Sequence, residues 1–353
     1  MMKILAINPG STSTKIAVYE DENSLYEETI RHADADILKL PELADQLPYR
    51  LESIMEALRL AKFKPSELDA VVSRGGMLKP MDSGTYIVDE NLLNDAGSGK
   101  YGNHASNLGS IIAAEIAGSH QIPAYIVDPV CVDELIDEAR ISGLADIERK
   151  SHVHALNIKA VSRNVAEEIG KDLDDANFVV AHLGGGISVA AVRNGRIIDV
   201  NNAENEGPFS PERAGGLPAK QLVQLCFSGK YTEKELLQRM TKQGGIYSYL
   251  GTKNVIEVEQ RVLDGEEEAA VILRAMVHQI GKEIGAIATV QEGKIDGIIL
   301  TGGIAHSQMI VGLIQEKISF LGKVFVLPGE AEMKALIAGA FRVMNGKEKA
   351  KIY

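Results

Sequence analysis

The sequence ILAINPGSTSTKIAVYEDE, Ile4 to Glu22, joins two apolar runs through a turn rich in hydroxyl groups. Apolar residues are continuous up to Ile7 and resume at Ile16, with Pro9 and Gly10 breaking the run between them. This predicts a strand, a tight turn and a second strand. Glycine, four successive hydroxyl residues and Lys15 are the parts of a phosphate site. They are not a Walker A loop, G-x-x-x-x-G-K-[ST], because the second glycine is absent and the continuation is a strand instead of a helix. A phosphate is therefore expected in a β-hairpin loop. Asn8, Ser11, Ser13 and Lys15 alternate, so their side chains can aim into one concavity, and backbone N–H groups from Gly10 onward supply further donors.

A second copy of this layout lies about half the chain away. FVVAHLGGGISVAAVRNGRIIDV, Phe178 to Val200, runs strand, glycine turn, strand, polar turn, strand. Self-similarity at that offset predicts two duplicated lobes. A third glycine turn, in GIILTGGIAHS, follows a strand of buried type and precedes an amphipathic helix expected over Gln308–Lys317, a setting suited to nucleotide or phosphate contact. Between the turns, strands such as DAVVS and AYIVD alternate with helical segments such as NLGSIIAAEIAG and EEEAAVILRAMVHQIGKEIGAIATV. The alternation argues for an α/β fold with a largely parallel sheet component. The charged stretch Gly143–His152 is the expected boundary between lobes.

Composition narrows the partners. The chain has 353 residues, 45% of them hydrophobic, enough for roughly two domains of core. A net charge of -12 argues against nucleic acid or an anionic membrane as partner, so an anionic ligand has to be met by a few placed cations. Cys131 and Cys226 show no CxxC spacing, which argues against structural zinc or a disulfide framework and for a reducing, cytoplasmic setting. The first apolar run is too short for a signal peptide, and no uncharged apolar run reaches membrane-spanning length.

Several residues stand out chemically. Gly184, Gly185 and Gly186 let the backbone approach a polyphosphate where a side chain would collide, and His182 precedes them at a strand end. His152 and His154 face one way if their segment is extended, yet no third metal ligand follows at a suitable spacing. Donation to a phosphoryl group suits one of them better. Arg74 in VSRGG and Arg213 in SPERAGG are the cations an acidic protein needs, each beside glycines where a guanidinium can reach a carboxylate or phosphate. Asp128 closes a strand before Pro129, the edge where acids cluster in open α/β sheets. The following DELIDEAR reads as a solvated acidic face. Glu330 and Glu332 open the last helix, where a carboxylate serves the helix dipole or a magnesium ion.

With INPGSTSTK, AHLGGGIS and LTGGIAHS in this order, the chain resembles the superfamily of acetate and sugar kinases, heat-shock chaperones and actin. More narrowly it resembles the acetate kinase family, and within it the butyrate kinases. The resemblance covers essentially the whole chain. It implies two duplicated ribonuclease-H-like lobes of the actin-like ATPase fold around a cleft: residues 1–148 with 332–353 on the acyl side, and 149–331 on the nucleotide side. It also implies reversible in-line transfer of the γ-phosphoryl group of ATP to butanoate or a related short-chain carboxylate, with Mg²⁺, in an oligomer of at least two chains.

Residue by residue, Asn8, Ser11, Ser13 and Lys15 match the first phosphate motif, Gly184 to Gly186 with His182 the second, and Gly302 and Gly303 the adenosine motif. Arg213 and His154 match groups expected to contact the transferring phosphoryl group. His104, Asp128 and Arg74 fall on further catalytic positions, and Glu332, with Asn8, on the magnesium site. Val153 and Pro211 fall in the acyl pocket.

Three departures stand out. Acetate kinases carry asparagine where this chain has Gly185, their arginine precedes histidine-glycine-glycine by a few residues whereas Arg74 adjoins its glycines, and they place phenylalanine where this chain has Val153. An isopropyl group in place of a ring predicts a deeper acyl pocket. The same resemblance leaves room for acetate, propionate or branched-chain acids as substrates and, more remotely, for a sugar kinase or a chaperone-like or filament-forming ATPase.

Overall fold

The computed structural model describes residues 1–33, 40 and 43–353. The chain divides into two compact units, one formed by Met1–Val132 with Ala331–Tyr353 and the other by Asp133–Glu330.

In the first unit, β1 (Lys3–Pro9), β2 (Ser13–Glu20), β3 (Asn23–Arg31), β4 (Ala70–Ser73), β5 (Thr85–Ile87) and β6 (Ala124–Val127) form a sheet in the order β3-β2-β1-β4-β6-β5. The apolar run of β1 is buried from Ile4 onward because the strand is central and covered on both faces. β3, at the edge, is polar and largely exposed. β1 pairs antiparallel with β2 and parallel with β4. The predicted hairpin is therefore present, with Asn8 opposite Lys15 across its mouth. Ile54 and Leu58 of the helix Leu43–Leu60 pack with Leu108 and Ile112 of the helix Asn107–Gly118 against Leu5, Ile7, Ile16 and Val18. The helix Glu332–Met344 approaches β6 so closely that a Cβ on Gly339 would lie 2.6 Å from the Val127 methyls.

In the second unit, β7 (Asn177–Leu183), β8 (Ile187–Arg193), β9 (Arg196–Val200), β10 (Gly297–Gly302) and β11 (Val324–Pro328) form a sheet in the order β11-β10-β7-β8-β9. β7 pairs antiparallel with β8 and parallel with β10, β8 antiparallel with β9, and β10 parallel with β11. Placed against β7, β8, β9, β10 and β11, the strands β1, β2, β3, β4 and β6 have the same neighbours in the same directions. Even the irregularity repeats, since β2 slips against β3 between Val18 and Tyr19, and β8 against β9 between Ala191 and Val192. The lobes are duplicates of one sheet. Leu273, Met276, Val277, Ile280, Ile284 and Ile287 recur every three or four residues along the helix Glu267–Val290 and are buried with Val179, Ala181, Val189 and Leu300. No helix among the described residues is long and apolar enough to cross a membrane.

One expectation is corrected in part. In DELIDEAR, Asp137 and Glu138 are solvated as expected, but only Asp137–Arg140 is helical and Glu134 is buried at 5% exposure. The Glu134 carboxylate accepts from the Lys159 ammonium at 2.8 Å and from the Ile197 N–H at 2.7 Å, while Lys159 also donates to the Gly195 carbonyl. Acidity in sequence marked a surface, but a lysine 25 positions away draws this acid inside. Breaking such a pair leaves a buried charge without its counterpart, which costs about 3–5 kcal/mol. Glu134→Gln is therefore expected to lower the urea midpoint substantially, whereas the double variant Glu134→Leu with Lys159→Met recovers most of it. Equal midpoints for Glu134→Gln and the parent chain would show the pair to be energetically idle.

Candidate active site

The candidate residues fall into two groups, one in each unit. In the first, three chain segments converge. Asn8 ends β1, Arg74 follows β4, and Glu332 opens the helix Glu332–Met344 behind Ala331, whose φ of 44° turns the chain into that helix. The Asn8 amide donates to Glu332 Oε2 at 2.5 Å and Arg74 Nη1 to Glu332 Oε1 at 2.6 Å. β4 runs parallel to β1, so the Arg74 N–H reaches the Ile7 carbonyl at 3.2 Å and the guanidinium starts beside the hairpin. The glycines after Arg74 are required by packing. A Cβ on Gly76 would lie 2.2 Å from Asn107 Oδ1, and one on Gly75 would lie 2.8 Å from both Ile126 and Pro129.

Ser11 and Lys15 are exposed and Ser13 half-buried on the hairpin. Lys15 and Asn8 are cross-strand partners, which puts both side chains on one face of the pair. Asp128 follows β6 with a φ of 40°, a conformation unfavourable for a residue with a Cβ. Its buried carboxylate accepts from the Gly84 N–H at 2.7 Å, and its own N–H donates to the Gly84 carbonyl at 3.1 Å. His104 is exposed, and its Nδ1 lies 2.8 Å from Ser106 Oγ and 3.2 Å from the Ser106 N–H.

The second group gathers at the carboxyl ends of β7 and β10. His182 is buried in β7, and His154 caps the helix Ala155–Glu168. The two imidazoles stack with centroids 3.9 Å apart and planes 8° from parallel. His154 Nδ1 is 2.9 Å from Ser188 Oγ, and His182 Nδ1 is 2.8 Å from Asn157 Oδ1. Gly184 to Gly186 form the β7–β8 turn, closed by the Gly184 N–H on the Gly186 carbonyl at 3.1 Å. A Cβ on Gly186 would sit 2.5 Å from Arg213 Nη1 and 3.4 Å from His154 Cε1, so the bare turn is what lets the guanidinium and imidazole close on the same point. Arg213 Nη1 donates to the Ala203 carbonyl at 2.9 Å.

Gly302, with φ of 87°, passes so near β7 that a Cβ would lie 2.4 Å from the Leu183 carbonyl, and Gly303 faces open space. Gly184, Gly185, Gly303 and Pro211 line a concavity of about 790 Å³ together with Lys253, Asn254, Glu259 and Ser307. Glu330 borders it too, with its carboxylate 3.7 Å from His182 Nε2. Glu330 and Glu332 thus serve different groups. Val153 is buried at 2% exposure, while His152 lies 3.9 Å from Glu204. Among the described residues no cluster of three or more His, Cys, Asp or Glu could hold a metal by itself.

Sequence reasoning passed over Lys253, Asn254 and Glu259, which reach the concavity from a loop and helix with no phosphate signature. The Asn254 cap on Val255–Leu263 was the signal available. It also passed over Arg50 and His32, which lie beneath the first hairpin. Thr14 Oγ1 is 2.9 Å from His32 Nε2 and accepts from Arg50 Nη1 at 3.0 Å.

Two duplicated sheets, each with a central hairpin whose turn lies beside the end of a parallel strand, define the actin-like ATPase fold. Residues 146–334 match the acetokinase family, and the chain belongs to that family. Butyrate kinase 2 of Clostridium acetobutylicum is 50% identical over 352 residues, covering 99% of each chain. Butyrate kinase 1 of the same organism is 50% identical over 354 residues, covering 100% of each. Among solved structures, Porphyromonas gingivalis acetate kinase superposes with a TM-score of 0.81 at 19% identity, covering 99% of this chain and 100% of that one. A propionate kinase from Francisella tularensis gives 0.77 at 18% identity, covering 96% of this chain and 98% of that one. At such identities the likeness concerns the fold.

Burial, with the Arg50 cation adding to it, pushes the His32 imidazole from 6.5 down to about 4. A depressed histidine stabilises the fold fully above its unfolded value and loses that contribution as pH falls through its folded value. Acidification from pH 6.5 to 4 is accordingly expected to lower the urea midpoint, and His32→Gln to flatten that part of the profile. Parallel profiles for the two chains would assign the acid sensitivity to other groups.

Proposed function

We propose that the protein is a short-chain fatty-acid kinase that converts ATP and butanoate to ADP and butanoyl phosphate, reversibly, by direct in-line transfer. The reading is supported by the 50% identity to two butyrate kinases over the full chain. On the structural side, the observation that carries it is the approach of Arg213 and His154 to Gly186 in the glycine turn beside the concavity.

The chemistry follows from charge. A carboxylic acid with a pKa near 4 to 5 is about fully ionised at neutral pH, so the acceptor needs no general base. Asp128, buried and hydrogen-bonded to Gly84, is then free of a base role and serves electrostatics or the magnesium shell. The barrier lies in bringing two anions together. Arg213 and His154 donate to the phosphoryl oxygens as it passes, and the backbone N–H groups of the Gly184–Gly186 turn hold the phosphates behind it. In the first unit, Asn8, Ser11, Ser13 and Lys15 offer donors to a phosphate at their own hairpin. Mg²⁺ binds through one or two carboxylates plus phosphate oxygens; Glu332, whose two oxygens here accept from the Asn8 amide and Arg74, and the Asn8 side-chain oxygen would hold it on exchanging those bonds for the ion. Bound there, the ion would neutralise phosphate charge. Gly303, which follows Gly302, opens the concavity to the adenosine portion, with Lys253 and Glu259 on its walls.

Hydroxamate trapping with ATP, Mg²⁺ and carboxylates from acetate to hexanoate tests reaction class and chain length together. Trapped acyl phosphate with the highest kcat/KM at butanoate is expected, whereas ATP turnover indifferent to every carboxylate would refute the reading. Removing one donor to the developing charge commonly costs about 10²–10³ in rate, so Arg213→Ala should lower kcat by that order with the fold intact by circular dichroism. Near-normal turnover would remove Arg213 from the mechanism.

Val153 is the proposed determinant of chain length. Each buried methylene contributes about 0.8 kcal/mol, so two extra carbons favour butanoate roughly tenfold where the pocket admits them. Val153→Phe should lower the butanoate to acetate ratio of kcat/KM by about that factor. An unchanged ratio would place the selectivity elsewhere.

A further inference from the structure

Arg50 is fully buried, at 0% exposure, in the middle of the helix Leu43–Leu60. No carboxylate among the described residues pairs with it. Its five hydrogen bonds to the described residues go to neutral oxygens. Nη1 donates to the Ser13 carbonyl at 3.2 Å and to Thr14 Oγ1 at 3.0 Å, and Nη2 to the Ser11 carbonyl at 3.1 Å. Nε and Nη2 both donate to Gln46 Oε1, at 3.2 and 3.1 Å, and Gln46 is held in turn by its own bond to the Leu40 carbonyl at 3.0 Å. Burying a cation among neutral partners, as the described residues do here, is costly, and burial holds this guanidinium below the ordinary arginine range. An interior strut of this kind calls for a role that an apolar side chain could not fill.

The role lies in the direction of the loop peptides. In a trans peptide the carbonyl and the following N–H point opposite ways. Arg50 draws the Ser11 carbonyl inward, and the buried His32 draws the Thr12 carbonyl with its N–H at 2.9 Å. The amides of Thr12 and Ser13 are therefore turned outward in succession, the arrangement that makes an anion-binding nest. The amides of Ser11 and Thr12 donate to no backbone acceptor among the described residues, and the loop's outer face carries exposed Ser11, Thr12 and Lys15. The Ser13 carbonyl, shared between Arg50 and the Gly10 N–H at 2.7 Å, fixes the tightest point of the turn. Only a planar fork reaches Ser11, Ser13, Thr14 and Gln46 at once, whereas a lysine ammonium carries the same charge on a single atom.

We propose that Arg50 is a positioning residue for phosphoryl transfer: its buried guanidinium fork holds the Ser11–Thr14 loop so that successive backbone amides face a phosphate of the nucleotide. This rests on the reading of that loop as a phosphate site.

The test measures Kd for ADP by calorimetry, and KM for ATP and for butanoate with kcat, in Arg50→Lys, Gln46→Ala and Lys15→Ala, each with a thermal melt. Arg50→Lys is expected to raise the ADP Kd and ATP KM by about tenfold or more while leaving the butanoate KM within about twofold, the loss of a bidentate clamp that charge alone does not replace. Gln46→Ala keeps the arginine but frees its fork, and should raise the same two constants by about threefold. It decides the matter if Arg50→Lys does not fold. A folded Arg50→Lys, or failing that a folded Gln46→Ala, with parental nucleotide constants overturns the proposal. So does a fall in kcat that only tracks a smaller folded fraction. Lys15→Ala separates the two levels. If it weakens nucleotide binding while Arg50→Lys does not, the positioning role alone is lost; if neither does, the loop is not a phosphate site.

Discussion

Each unit is organised by the pairing of its central strand, antiparallel to the next strand on one side and parallel to a later strand on the other. The consequence is geometric. A hairpin turn and the carboxyl end of a parallel strand must then lie side by side at one edge of the sheet. At β1 this brings Asn8 and the Gly10–Ser13 turn beside Arg74, whose N–H reaches the Ile7 carbonyl. At β7 it brings His182 and the Gly184–Gly186 turn beside Gly302, which presses on the Leu183 carbonyl. Asn8, Arg74, Glu332, His182 and the glycines of the second turn are carried by these edges or by the first residue of a helix beside them, whereas Arg213 reaches the second turn from the loop after β9.

The two turns solve the same problem with different means. The second is bare. Gly186 leaves space that Arg213 and His154 use, and Gly302 allows β10 to pass where a Cβ would meet backbone. The first carries side chains, and its peptides are oriented from below by Arg50 and His32. A chain with a net charge of -12 cannot attract anions by its overall field, so it concentrates donors at these points. Arg50 is the clearest case, a buried cation whose partners among the described residues are all neutral oxygens. Glu134 and Lys159 show the converse, a charge pair buried for architecture.

Much of this was legible in the linear chain because it depends on near neighbours. Continuous apolar runs on either side of a glycine turn specify a hairpin with no reference to distant residues, and the helices Asn107–Gly118 and Glu267–Val290 follow from their own periodicity. The duplication was visible as layout, and the equivalence of the strand orders gives it a structural meaning. Glu134 was misread for an instructive reason. An acidic segment is a surface by default, and what reverses it is one lysine on another element. Arg50 sits in an ordinary amphipathic helix, where an arginine normally marks the exposed side.

What the amino-acid order settled alone was the set of local shapes: which runs are strands, which turns are free of side chains, which helices are amphipathic, and hence an α/β chain built twice. Only the folded chain decided which of its ionisable groups meet. Glu332 joins Asn8 and Arg74, and Glu330 lies toward His182. The two glutamates are separated by one residue, and the left-handed turn at Ala331 lies between them. Sequence spacing governs contacts within a turn or a hairpin, where backbone geometry is fixed by a few dihedral angles. The partners of a buried charge are set by the packing of elements remote along the chain, and no local pattern encodes that.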